Sequence, residues 1–77
     1  MNLTETIGMT VREMRQERGL VLRDFQHIAL GHLSELERGR KAFTPAMVEY
    51  LAEEMDVSTV EVLQRVCENL ERGTQWQ

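Results

Sequence analysis

Apolar residues recur at three- and four-residue spacing along nearly the whole chain, and glycine or proline interrupts that spacing at short intervals. The interruptions are Gly19, Gly39, Gly73 and Pro45. Nothing between them alternates with a strand period over a useful length. A chain written this way is restricted to short helices with short connections. Its 77 residues suffice for one small core and not for two. The expectation is a single domain over 1–77, with its core at 5–72 and a frayed tail at 73–77.

Five helices are expected. The first runs from Thr4 or Glu5 to Arg18 and places Ile7, Val11, Met14 and Arg15 on one face. Gly19 follows at the left-handed position that ends helices. The second begins near Val21 or Leu22, with Leu22 and Phe25 inward. The third covers Leu30 to Arg38, with Leu33 and Leu36 inward and Gly39 as its stop. Thr44 caps the fourth and Pro45 fits its first position; Val48, Leu51, Ala52 and Met55 are its apolar face. Ser58-Thr-Val-Glu61 has the form of a capping box. The fifth helix begins there, carries Leu63, Val66, Cys67 and Leu70, and ends by Gly73.

Several function classes are excluded on residue chemistry. The first ten residues have neither a basic start nor an apolar run, so no signal peptide is expected. No apolar stretch approaches a membrane span. A lone cysteine, Cys67, builds no internal disulfide and points to a reducing compartment, hence the cytoplasm. It lies on an apolar face and reads as packed rather than reactive. His27, His32 and Cys67 have no zinc-motif spacing, so no metal is expected. There is no phosphate-binding glycine loop and no assembled nucleophile and base, so neither a cofactor nor an enzymatic activity is expected.

The net charge of −4 argues against a simple nucleic-acid binder, but its distribution is uneven. Residues 1–41 carry a net +1 and residues 42–77 a net −5. Basic charge is densest at Arg38, Arg40 and Lys41. Phosphate contacts depend on the local face rather than on the sum.

Three segments in order carry a resemblance. They are Val11-Arg-x-x-Arg15-x-x-x-Gly19-Leu20, the run LGHLSELERGRK at 30–41, and Leu51-Ala-x-x-Met-x-Val57. Over residues 7–63 the chain resembles helix-turn-helix regulators of the Cro and lambda-repressor type. Within that family the LGHLSELERGRK run is similar to actinobacterial regulators of protease genes. The resemblance implies an all-α, five-helix lambda-repressor-like domain. It implies an ion pair between Arg15 and Glu37 that ties the first helix to the end of the third. It implies that Arg38, Arg40 and Lys41 contact phosphates, with Arg23 as a further DNA contact from the second helix. The N-terminal end of the third helix would enter the major groove. There Leu30 suits a thymine methyl, Gly31 allows close approach, and His32 and Ser34 can donate hydrogen bonds. Glu35 either accepts from a cytosine amino group or faces solvent.

One departure is large. Only Gln26 and His27 separate Phe25 from Ile28, where the family has about three more residues. Three residues are roughly 300° and ~4.5 Å of helix. The second helix is therefore expected to be shortened to as little as one turn, running almost directly into the third, with Val21 a poor cap. The expected function is a DNA-binding transcriptional regulator, of the phage or mobile-element repressor kind, acting as a homodimer on double-stranded DNA. The alternative is a protein-interaction module, antitoxin- or anti-repressor-like, in which the shortening has cost DNA binding. The face of Leu63, Val66, Cys67 and Leu70 serves either a homodimer contact or the monomer's own core, and Trp76 either extends that contact or stays in solvent.

Overall fold

The computed structural model describes residues 2–75, the last two by their backbone alone. Four α-helices are present among them: α1 (Leu3–Glu17), α2 (Leu30–Glu37), α3 (Pro45–Glu54) and α4 (Thr59–Gln75). The five-helix expectation is corrected to four. The expected second helix is a single 3-10 turn, Leu22–Asp24. No side chain caps it from Val21; the Val21 N–H donates to the Asp24 carboxylate at 2.8 Å, and the Asp24 and Phe25 N–H groups donate back to the Val21 and Leu22 carbonyls at 3.0 and 3.3 Å. Nor does this turn run into α2. Phe25 is extended and the chain crosses residues 25–29 without helix. That crossing is anchored by Phe25, which is buried in the core, and by the His27 N–H donating to the Tyr50 hydroxyl at 3.0 Å.

Three of the four α-helices start on a polar cap, whereas α2 starts from Ala29 with no side-chain cap. Asn2 accepts from the Glu5 N–H at 2.8 Å, which is why α1 begins ahead of the expected Thr4. Thr44 accepts from the Met47 N–H at 3.2 Å, and Ser58 from the Glu61 N–H at 3.1 Å. The first three helices end alike. Gly19, Gly39 and Asp56 have φ of 67°, 75° and 58°, and each is followed by a residue whose N–H reaches back five residues. Gly73 does not end α4, which continues to Gln75, so the expected tail from residue 73 is corrected. Residues 76 and 77, and with them Trp76, lie outside the described residues.

The core gathers Val11 and Met14 of α1, Phe25, Leu33 and Leu36 of α2, Val48, Leu51, Ala52 and Met55 around α3, and Val62 and Val66 of α4. Burying such a side chain is worth about 1.5–3 kcal/mol, so apolar packing carries the fold. The α1–α4 contact adds a polar seam. Asn69 is buried and donates to the buried Thr10 hydroxyl at 2.8 Å, which itself donates to the Thr6 carbonyl. At its edge Arg65 donates both terminal nitrogens to Glu17, and that hydrogen bonding holds the Glu17 carboxyl below its ordinary pKa.

On α4 one of the two alternatives holds at Val66, and the expected packing of Cys67 is corrected. Val66 is 4% exposed and belongs to the core, sharing an inward stripe with Val62 and Asn69. Cys67 is exposed rather than packed. Among the described residues no helix is long and apolar enough to cross a membrane.

Candidate nucleic-acid interface

Leu33 and Leu36 point α2 into the core, which decides what its other side presents. Gly31, Ser34, Glu35 and Arg38 recur at i, i+3, i+4 and i+7, so they share the outward face. This stripe is small in its first turn. A Cβ added at Gly31 would meet nothing within 4 Å, so no packing inside the protein requires glycine there. Leu30 is 50% exposed at the helix start, and His32 is half-buried on the flank.

The other end of α2 is fixed to α1 by two devices. Arg15 donates Nε and a terminal nitrogen to the two Glu37 oxygens at 2.8 and 3.0 Å, and its remaining nitrogen to the Leu20 carbonyl at 2.9 Å. Both side chains are nearly buried, 11% and 6% exposed. The fork geometry fixes orientation as well as adding energy. The second device is Gly8, which sequence reasoning missed. A Cβ there would stand 2.5 Å from the Leu36 carbonyl oxygen and 2.8 Å from that of Glu37. Only a bare backbone lets α1 cross the end of α2 so closely. The available signal was a glycine one residue from Ile7 inside an unbroken helical pattern.

The exit from α2 presents Arg38, Arg40 and Lys41, all exposed, around the left-handed Gly39. Arg40 and Glu35 lie 3.7 Å apart as a surface ion pair. Glu35 therefore faces a cation of its own chain as well as the outward side. Arg23 is exposed on the 3-10 turn, which packs against α2. Arg12 of α1, exposed and not singled out from sequence, lines a cleft with Ser34 and Arg38.

The proposed dimer residues lie elsewhere. Leu63 is 48% exposed and Cys67 exposed, Leu70 is half-buried, and Val60 adds a 60% exposed side chain on the same helix. Among the described residues no three His, Cys, Asp or Glu side chains gather as metal ligands.

No protein-family model matches the chain. A competence pilus inhibition repressor of Acinetobacter baylyi is 36% identical over 59 residues, covering 73% of this chain. The chain spans 54% of the length of that curated relative. Two crystal structures of the clp gene regulator ClgR of Corynebacterium glutamicum are similar throughout. One is 30% identical with a TM-score of 0.83, covering 88% of this chain and 92% of its own. The other is 28% identical with a TM-score of 0.86, covering 97% and 84%. A wild-type restriction-modification controller protein, 17% identical, shares the fold with a TM-score of 0.85 over 94% of this chain and 97% of its own.

Proposed function

The chain belongs to the Cro/lambda-repressor-type (XRE-like) helix-turn-helix family, and from that premise we propose that it is a regulator of transcription that binds double-stranded DNA. It works in the cytoplasm, without enzymatic activity or cofactor, as a repressor of the kind that phages and mobile elements use. The observation that carries this reading is the outward face of α2. Its first turn is small and free of packing duties at Gly31, its last turn is locked to α1 through Arg15 and Glu37, and cations follow at Arg38, Arg40 and Lys41. A rigid helix with a slim leading end can enter a major groove, and the cations beside it position it on phosphates. Leu30, Gly31, His32 and Ser34 form the reading end. With no Asn, Gln or Arg in that end, base discrimination is modest and leans on DNA shape. A homodimer through Leu63 and Cys67 of α4, with Leu70 at its edge, would present two such helices to two half-sites.

Fluorescence anisotropy on DNA around the protein's own gene, at two salt concentrations, tests the reading. Submicromolar, salt-sensitive binding that prefers one segment is the expected result. Arg38→Ala or Arg40→Ala should flatten the salt slope by about one unit per lost contact. A second reading is favoured by the single 3-10 turn in place of a full second helix, together with the net charge of −4. On that reading the protein is an interaction module that binds another protein. Absence of DNA binding even at low salt would select it.

A further inference from the structure

We propose that the cleft between α1, the 3-10 turn and α2 seats one phosphate of the DNA backbone, with Arg12 as its main cation. The inference rests on the DNA reading above and adds a contact from α1. The cleft is lined by Arg12, Arg15, Leu22, Ser34, Glu37 and Arg38. Its charge follows from the hydrogen bonds. Both Glu37 oxygens accept from Arg15, so the only carboxylate in the lining is already neutralised. Arg12 and Arg38 make no ion pair among the described residues. The cleft thus presents two uncommitted guanidinium groups and the Ser34 hydroxyl, and no uncompensated negative charge.

Arg12 is set apart from its neighbours by having no task in the fold. Glu13 accepts from Asn69, Arg15 holds Glu37, Glu17 holds Arg65, and Arg18 donates to the Met14 carbonyl. Arg12 is exposed. The cleft holds about 150 Å³, below the roughly 300–1,000 Å³ of small-molecule sites. It fits one group of a larger ligand rather than a whole metabolite. A tetrahedral anion offers acceptors to two guanidinium forks and a hydroxyl together. Ser34 and Arg38 belong to the outward stripe of α2, so a strand bordering a groove occupied by α2 would run beside this cleft. Arg12 then grips the backbone from α1 while Arg40 and Lys41 grip it from the exit of α2.

The test compares wild type, Arg12→Gln and Arg12→Lys by anisotropy from 50 to 200 mM salt. One lost phosphate contact lowers the log–log salt slope by about 0.9. Arg12→Gln should therefore lose about 3.5-fold less affinity than wild type over that range. Its preference for specific over random DNA should stay unchanged, and Arg12→Lys should keep the wild-type slope. An unchanged slope in Arg12→Gln overturns the proposal. Inorganic phosphate titrated into the free protein supplies an arm independent of DNA, read by the NMR signals of the arginine Nε–H groups. Arg12 and Arg38 should shift together, and the Arg38 shift should disappear in Arg12→Gln. If neither moves, the seat is overturned. If both move but wild type binds no DNA, the ligand is free phosphate and the DNA assignment falls.

Discussion

Gly8 and Gly31 are both helical glycines, and their surroundings make them opposites. Alanine is favoured over glycine in a helix interior by about 0.8–1 kcal/mol, so propensity alone predicts that either change stabilises. At Gly8 the new Cβ would meet the backbone oxygens of Leu36 and Glu37 at 2.5 and 2.8 Å, and neither can move without shifting α2. Overpacking of this kind costs about 1–3 kcal/mol. Gly8→Ala should therefore lower stability by about 1–2 kcal/mol net, read as a fall in the urea midpoint at unchanged m-value. A midpoint at or above wild type would remove the close crossing. At Gly31 nothing lies within reach, so Gly31→Ala should raise stability by up to about 1 kcal/mol, read as a higher midpoint, while weakening DNA binding. Equal or better binding in that variant would show that Gly31 does not face the groove. Arg15 and Glu37 were legible in the sequence because an arginine on an apolar face needs a partner and the family resemblance supplied one. Gly8 was not legible, because its reason lies on another helix.

At the scale of elements, caps written in local chemistry were readable and those needing tertiary context were not. Thr44, Ser58, Gly19 and Gly39 mark helix boundaries by residue type, and all four do so in the structure. Gly73 has the same chemistry, yet α4 runs through it. Asp56 takes the left-handed position without being glycine, at φ 58°. That conformation costs an L-residue roughly 1–2 kcal/mol, somewhat less for aspartate. Asp56→Gly should therefore raise stability by about 0.5–1 kcal/mol after the extra chain entropy of glycine is charged against it. A lower thermal midpoint would mean that the aspartate contributes more than its backbone strain costs. The shortening of the second helix was legible in the sequence, and the non-helical crossing after it was not. Removing a turn keeps faces in phase, but it also leaves too few residues to nucleate a helix. The chain bridges that gap with an anchored crossing instead, pinned to α3 through Tyr50. Tyr50→Phe keeps the ring and removes the acceptor for the His27 N–H. It should cost about 1 kcal/mol, the net worth of one hydrogen bond, and hydrogen exchange at the His27 amide should quicken. Wild-type protection at that amide would show that the crossing is held by Phe25 alone.

Across the whole molecule, the periodicity of α4 could not say which of two adjacent stripes faces inward. Val62, Val66 and Asn69 do so, and the buried Asn69 made the inner stripe look less apolar than the outer one. Leu63 and Cys67 are left outside, beside a half-buried Leu70. Leu63 borders a hollow with Ile7, Phe43 and Val48, and none of these lines the cleft of Arg12, Ser34 and Arg38, so a second copy bound on α4 need not cover that cleft. Two recognition helices in such a pair would have to sit about one DNA turn apart, some 34–36 Å. Leu63→Glu places a charge on a side chain already 48% exposed, so the monomer fold should survive with an unchanged circular dichroism spectrum. In a homodimer the same change sets two carboxylates against each other in an apolar contact, a desolvation cost of several kcal/mol. Sedimentation equilibrium should then show wild type as a dimer at micromolar concentration and Leu63→Glu as a monomer. DNA binding should change with it, because one monomer holds only one half-site. If wild type and variant sediment alike, α4 does not join the copies. If they differ in mass but bind the operator equally, the dimer is real and the protein reads DNA one copy at a time.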